Sequence, residues 1–411
     1  MKNKPEHKDT TKELNLQEDI MSGITPEKLI EMITQIYLPR ILNELMLSER
    51  NFYLSHNPLD SANGFYPRTL FFKDLPLKLS VPRTRYSNFF PGVLPRYKRT
   101  LPQDYENLVE SLLLSARSIE ALKESIRNMQ LPLSPGFIDE LVSRLSQEFQ
   151  DYVSREIDSD WLVVYIDAKE VEVKEDKKVK KMVLVTGVGV NMEGEKEVVG
   201  SKLFEGSENL ERWREFLLDL RRRGMSRVLL IVTDNFPGVT KLVRGIFPMA
   251  WHQLCIVHLI RNGKYHLTRE GYRRFREELR RVERASDFDS AYTIFMEIIE
   301  WLKGESPYFA ERLRRAAENY VAFTRFPMEV RSRVKSTNAS ENLHKELERI
   351  RINTGGYFQS REVLYAKWQI YLRRLKERRW LKPEPKFKNV LGELHRLFWS
   401  VYEAEEGQEV N

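Results

Sequence analysis

A chain of 411 residues, 41% hydrophobic and 31% charged, has room for two or three soluble globular domains and a substantial core. No apolar run approaches the roughly 18 residues that span a bilayer, so no membrane partner is expected, and the polar opening "MKNKPEHKDTTKELNLQED" lacks the apolar centre of a secretory signal. A net charge of +7 suits a polyanionic partner without proving one, and a single cysteine rules out an internal disulfide and fits a reducing, intracellular setting.

Residues 1–22 read as a disordered tail. Ile24 to Tyr53 carries Ile, Leu, Met and Tyr at helical spacing, and the Pro- and Arg-rich stretch to about Thr100 reads as short strands and turns. That stretch, "FYPRTLFFKDLPLKLSVPRTRYSNFFPGVLPRYKRT", is nearly free of acids. Its Arg68, Arg83, Arg85, Arg96, Lys98 and Arg99 are candidates for phosphate contacts, and its aromatic rings could stack on bases; an ordinary basic loop is the plainer alternative. Helices return from Asp104 to Ile157. Within them, residues 117–145 resemble a helix-turn-helix, with Ser134 as N-cap, Pro135 at the first helical position and Arg144 able to reach a base or phosphate. A plain helical hairpin fits as well.

From Trp161 the pattern turns to strands. "WLVVYIDAKEVEV" begins with six apolar or aromatic residues, the mark of a strand buried on both faces, and then meets Asp167. A carboxylate at such a rim is costly to desolvate without a positive partner. Two more strands follow, at Lys181–Asn191 and Lys196–Phe204. Then come an amphipathic helix closed by Gly224 and a second buried strand, "RVLLIVTDN", which also ends in an acid, Asp234. "PGVTKLVRGIF" and "MAWHQLCIV" read as helix and strand. Three antiparallel strands, a helix, a parallel strand and a helix form the ribonuclease H-like α/β pattern, in which Asp167 and Asp234 meet at one sheet edge. The helical run from His258 to about Arg333 is too long for a loop and reads as an inserted all-α domain. Glu341 follows on the first turn of "STNASENLHKELERIR". A second basic and aromatic block, "YLRRLKERRWLKPEPKFK", occupies Tyr371–Lys388.

Phosphoryl transfer on DNA needs an activated nucleophile on one side of phosphorus and a stabilised leaving oxygen on the other, which two divalent ions provide. Hard cations prefer carboxylate oxygens, and Asp167, Asp234 and Glu341 are such donors on separate elements. Each has a local alternative: an acid at a strand end often caps a turn, and Glu341, three residues after Asn338, fits a capping box.

The motifs "YIDAKEVEV", "VTDNFPGV" with "FPMAWHQLCIVHLIRN", and "STNASENLHKELERIR" closely resemble the Mutator-family transposases of bacterial and archaeal insertion sequences, from about Ile24 to about Arg379. "NGFYPRTL" and "VPRTRYSNFFPGVLPRYKR" are similar to that family's N-terminal region. The resemblance implies a catalytic triad of Asp167, Asp234 and Glu341, with Mg²⁺ as cofactor and Mn²⁺ as a substitute. It also matches Cys255 and His258 to a Cys/Asp-x-x-His pair that supports the site, followed by Arg261 and Asn262. Three positions depart from the family: Asn235 stands where Gly is frequent, Ser340 where a branched aliphatic is usual, and His344 where Asn is common.

The expected protein is therefore a transposase, cytoplasmic and nucleoid-associated. It binds double-stranded DNA (its element's terminal inverted repeats and the target) and works as a homodimer or larger complex. Expected DNA contacts include Arg261, Arg349 and Arg351, with Asn235 and Asn338 supporting the site. A structural zinc at His252, Cys255 and His258 is not expected, because such sites usually need four ligands and no second cysteine exists. The alternatives are a non-catalytic DNA-binding repressor or domesticated remnant, and a ribonuclease H-like nuclease that does not join strands. The expected domains are a mainly helical DNA-binding region at 23–157, a catalytic core at 158–257 and 336–382 split by the helical insertion at 258–335, and a C-terminal tail at 383–411.

Overall fold

The structure, a computed structural model, describes residues 25, 28–29, 32–72, 75–86, 89–94, 103–128 and 136–406. The chain divides into two compact units, Met1–Leu112 and Leu113–Asn411. The tail at 1–22, the turn residues Ser134 and Pro135, and Arg96, Lys98 and Arg99 lie outside the described residues.

In the first unit a π-turn, Ile33–Tyr37, leads into the helix Leu38–His56. A hairpin follows, built from β1 (Ala62–Phe72) and β2 (Leu75–Thr84) paired antiparallel, with Tyr66 opposite Val81 and Arg68 opposite Leu79. Alternation on β2 buries Leu77, Leu79 and Val81 with Met46 of the helix and Leu94. The Ser80 backbone N–H donates to Asn43 Oδ1 at 2.9 Å and fixes the helix over the hairpin.

The second unit is built on a five-stranded sheet. Its strands are β3 (Asp160–Glu175), β4 (Lys178–Val190), β5 (Lys196–Glu205), β6 (Arg227–Thr233) and β7 (Trp251–Leu254), in the order β5-β4-β3-β6-β7. β3, β4 and β5 are antiparallel neighbours, while β6 and β7 run parallel to β3. The apolar run Trp161–Ile166 is buried throughout, as an unalternating pattern requires when both sheet faces are covered. Gly189 on β4 permits this packing, since a Cβ there would come within 2.3 Å of the Trp161 ring. Arg227 forks onto Asp160 with two 2.7 Å bonds and sets the parallel register at the start of β3 and β6. The helix Leu210–Arg222 crosses between β5 and β6. It starts at Asn209, whose side chain accepts from the Arg212 N–H, and buries Trp213, Phe216, Leu217 and Leu220.

After β7 the chain is helical: Ile256–His266, Arg269–Glu283, Phe288–Glu305, Pro307–Arg314, Ala317–Val321, a 3₁₀ turn at Ala322–Arg325, and Met328–Val334. Buried Arg331 holds the turns of this array by donating to the backbone carbonyls of Phe326 (2.9 Å), Thr324 (2.7 Å) and Ala285. The helix Asn338–Asn353 then returns to β3. There Arg351 bonds Glu172 (2.7 Å), and Phe358 exchanges backbone bonds with Glu172 and Lys174 (2.8 Å each).

Two expectations need correction. Residues 23–157 do not form one unit: the helix Phe137–Ser154 turns its apolar face to the helix Arg361–Arg378, with Phe149 stacked on Tyr365 at 5.0 Å, and belongs to the sheet unit. Residues 383–411 are not simply a tail. The helix Leu391–Glu406 buries Leu394, Phe398 and Tyr402, and the Tyr402 hydroxyl bonds both the N–H and the C=O of Val228 at 2.8 Å. That spacing of four residues is the stripe of a docked helix, overlooked beside the acidic residues that follow it. No described helix is long and apolar enough to cross a membrane.

Candidate active site

Parallel pairing of β3 and β6 ends at Tyr165 opposite Val232. Two residues further come Asp167, still within β3, and Asp234, just past the end of β6, so the register brings the two acids level with each other. Asp167 is only 7% exposed. Its Oδ2 pairs with His344 Nδ1 at 2.8 Å, and His344 Nε2 is buried with no hydrogen-bond partner among the described residues. The strand does not end at this acid as expected: β3 runs on to Glu175 beside β4, Asp167 sits midway along it, and its partner within the chain is an imidazole.

Glu341 lies one turn before His344 and is 8% exposed. Its carboxylate does not close a capping box on Asn338. Asn338 is the first helical residue, Thr337 takes the N-cap position without a side-chain cap bond, and the Glu341 N–H donates to the Thr337 carbonyl at 2.9 Å. The Thr337 hydroxyl lies 3.3 Å from both Asp234 Oδ1 and Glu341 Oε1, so its one proton can serve either carboxylate. Arg261 Nη2 stands 3.4 Å from Glu341 Oε2 and is half exposed. Burial raises the Asp234 carboxyl pKa. Its bond to His258 opposes that rise, and the charges of Asp167 and Glu341 add to it. A divalent cation would relieve this crowding, and carboxylate oxygens are the donors that Mg²⁺ or Mn²⁺ prefers, so the residues present fit such an ion.

Cys255 and His258 enter from the other side. The Cys255 N–H donates to the Thr233 carbonyl (2.9 Å), and the Ile256 N–H donates to the Lys335 carbonyl (3.0 Å). These bonds tie the start of the helix Ile256–His266 both to β6 and to the lead-in of the Glu341 helix. His258 Nδ1 pairs with Asp234 Oδ1 and lies 3.8 Å from Glu341 Oε1. Burial disfavours a charged imidazole, but the bonds and charges of Asp234 and Cys255 outweigh it and push the His258 pKa up to about 10. Arg261 Nη1, 3.0 Å from Nε2, fits only a neutral ring. The two influences oppose each other, and the contact with Arg261 favours the neutral form once the carboxylate charge is neutralised. Among the described residues, the group with ligand atoms all within 4.8 Å of one another is Asp234, Cys255 and His258; the three acids are spread more widely.

His252 stays outside the cluster. Its Nε2 is 2.8 Å from the Thr233 hydroxyl, which itself donates to the Asp234 carbonyl, so Nε2 carries the proton. Burial, with Arg244 nearby, lowers the His252 pKa to about 3 and keeps the ring neutral. Asn235 donates to the Tyr320 hydroxyl at 3.0 Å and links the β6 tip to the helical array.

The basic candidates separate. Arg83 and Arg85 are exposed, and Arg83 stacks on Tyr66 at 5.2 Å; Arg68 lies over Phe90 at 5.7 Å. Arg144 is exposed on its helix, and Arg349 pairs with Glu346. Arg351 is mostly covered and held by Glu172 and Glu348. Tyr371, Arg379 and Trp380 of the second basic block line a cavity of about 390 Å³ with Asn342 and Lys345 of the Glu341 helix.

Sequence reading does not single out Thr337 and notes His344 only as a departure from the family, although a signal for both exists: with Glu341 they fall at i, i+4 and i+7, one face of a helix. Glu208 had no such signal. It follows β5, accepts from Trp213 Nε1 at 2.8 Å, and has its pKa raised by burial together with the charges of Asp234 and Asp167.

Comparison with known proteins places this chain among transposases of insertion sequences. The chain is 24% identical over 396 residues to the transposase for insertion sequence element ISRM3 of Rhizobium meliloti (strain 1021), covering 93% of this chain and 98% of that protein. It is 25% identical over 340 residues to the transposase for IS905 of Lactococcus lactis subsp. lactis (strain IL1403), covering 80% and 86%. To the transposase for IS256 in transposon Tn4001 of Staphylococcus aureus it is 23% identical over 347 residues, covering 81% and 88%. The family described as "Transposase, Mutator family" matches residues 6–377, and the chain belongs to that family.

Proposed function

We propose that this transposase binds the terminal inverted repeats of its own element, cleaves at the element ends and joins the freed 3′-hydroxyl to a target phosphodiester, using a ribonuclease H-like core and the acids Asp167, Asp234 and Glu341. The observation that carries this reading is the linkage of the acids: Thr337 and His258 bridge Asp234 to Glu341, while His344, on the same helix face, holds Asp167.

The three carboxylates would hold two divalent cations, Mg²⁺ or Mn²⁺, which when bound polarise the phosphodiester and lower the pKa of the attacking water or hydroxyl. His344 fixes the rotamer of Asp167 and leaves its second oxygen for other work. Thr337 keeps Asp234 and Glu341 turned toward each other across the gap between β6 and the helix. Half-exposed Arg261 reaches Glu341 and would meet a DNA phosphate there. Arg68, Arg83 and Arg85 in the first unit supply sequence-independent phosphate contacts. Two element ends must react together, so the working form is a dimer or larger assembly on DNA.

The test is joining of an oligonucleotide that carries an element end to a plasmid, with and without Mg²⁺. Metal-dependent joined product supports the reading. Binding without chemistry would make the chain a repressor, and nicking without joining would make it a nuclease.

A further inference from the structure

Asp234, Cys255 and His258 offer a carboxylate, a thiol and an imidazole with ligand atoms all within 4.8 Å of one another. This differs from the zinc site weighed from sequence, which needed His252. The structure turns His252 to Thr233 and supplies Asp234 in its place. Three elements of local structure assemble the trio. β6 delivers Asp234, the Cys255-to-Thr233 backbone bond brings Cys255 alongside the end of that strand, and the first turn of the helix Ile256–His266 sets His258 three residues later on the same side. Cys255 is 1% exposed, so a cation bound by it would be largely shielded from water.

The donor set discriminates among cations. Mg²⁺ prefers oxygen and keeps its waters. Thiolate and imidazole select Zn²⁺ and its chemical relatives, and three protein ligands leave one tetrahedral position open, the count of an exchangeable site rather than a closed structural one. Asp234 belongs to both sets. We propose that Asp234, Cys255 and His258 form a site for a thiophilic divalent cation of the Zn²⁺ class, whose occupancy withdraws Asp234 from the acid set and so inhibits Mg²⁺-dependent chemistry. On binding, the Cys255 thiol gives up its proton to solvent and forms a sulfur–metal bond. His258 Nδ1, the nitrogen facing Asp234, donates its lone pair and the ring's proton moves to Nε2, so the half-exposed Arg261 side chain swings away from its 3.0 Å contact there. No oxidant or reductant is involved.

The inhibitory part of this proposal rests on the function proposed above; the site itself does not, and its test reads binding directly. Full-length protein is stripped with a chelator and titrated with Co²⁺ in oxygen-free buffer. The chain has a single cysteine, so a thiolate-to-cobalt charge-transfer absorption can arise only from Cys255. Wild type should show that band at one Co²⁺ per chain, and added Zn²⁺ should bleach it. Cys255→Ser should abolish the band with the circular dichroism unchanged. Cys255→Ser should also weaken Zn²⁺ binding by more than the ~10–100-fold that loss of an outer partner costs. Glu341→Gln should keep the band, which separates this site from the rest of the acid set. Folded wild type without a charge-transfer band, or equal Zn²⁺ affinity in wild type and Cys255→Ser, would overturn the site. A band accompanied by Mg²⁺-dependent joining that tolerates saturating Zn²⁺ would overturn the inhibition. A band with no joining under any condition would fault the functional reading while leaving the metal site standing.

Discussion

His344 Nδ1 stands 2.8 Å from Asp167 Oδ2, both groups buried, and links the helix of the last acid to the strand of the first. An asparagine amide is also a donor, though on a shorter arm. An imidazole that donates through Nδ1 orients the carboxylate and leaves its other oxygen free, the usual way outer partners tune a metal ligand. His344→Leu is expected to raise the Mg²⁺ concentration needed for half-maximal cleavage by about 10–100-fold, and His344→Asn should recover much of that loss. An unchanged Mg²⁺ requirement in a folded His344→Leu protein would reduce the contact to ordinary packing.

The acids themselves carry opposite consequences for chemistry and stability. Burial raises the Asp234 carboxyl pKa, with further contributions from Asp167 and Glu341. A carboxyl whose folded pKa lies above its unfolded value costs stability at neutral pH, where it is ionised in the unfolded chain. Asp234→Asn removes that cost but also the partner that raises the His258 pKa, so in metal-free buffer at pH 7 folding should be preserved, while cleavage falls by about 100-fold or more, the scale of losing one preorganised electrostatic contact. Glu341→Gln should be equally inactive, and its Oε1 can still accept from Thr337, so folding should survive. Normal cleavage by either variant would remove that residue from the catalytic set.

Exposed Arg83 and Arg85 border the aromatic face of the hairpin. If each neutralises one phosphate, alanine at either position lowers the slope of log affinity against log salt by about one. Binding should fall by similar factors on specific and random DNA, because phosphate contacts position without reading sequence. A variant lacking residues 1–100 that bound element ends with wild-type affinity would refute this placement.

Much of this site could be read along the chain because it depends on local pattern. The unbroken apolar run before Asp167 marks a strand covered on both faces, and "RVLLIVT" before Asp234 repeats the signal, so two neighbouring acids follow from periodicity and the parallel register, although only Asp234 stands at a strand end and β3 continues past Asp167. What stayed hidden depends on contacts between distant segments. The family resemblance sets Cys255 and His258 beside the acids, but no local pattern shows that their ligand atoms close on Asp234, and Glu208 joins the acids only because the turn after β5 folds back toward them. Glu341 is the intermediate case. The local rule offered a capping box with Asn338, and Thr337 one turn back, with His258 and Arg261 from a distant helix, took the carboxylate instead.

Lys367 tests the packing behind the site. It is 2% exposed on the helix Arg361–Arg378, and its Nζ donates to the Ala116 carbonyl at 2.9 Å. Burial alone lowers its pKa from 10.5 to about 8. Below about pH 8 both folded and unfolded chains carry the charge, and its burial costs about 3 kcal/mol. Between pH 8 and 10.5 the unfolded chain binds the extra proton, so this residue's contribution to stability rises with pH across that window and levels off above it. Lys367→Met removes the charge and fills similar volume, but it leaves the Ala116 carbonyl without its donor, at about 1–3 kcal/mol. At pH 7 the two effects nearly cancel, and the variant should be as stable as wild type or slightly more so. The decisive quantity is the difference between the two proteins, in which all other titrations cancel. Measured by urea unfolding, wild type should gain on Lys367→Met as pH rises from 8 to 10.5, and a difference that stays flat across that range would show that Lys367 titrates as it does in water.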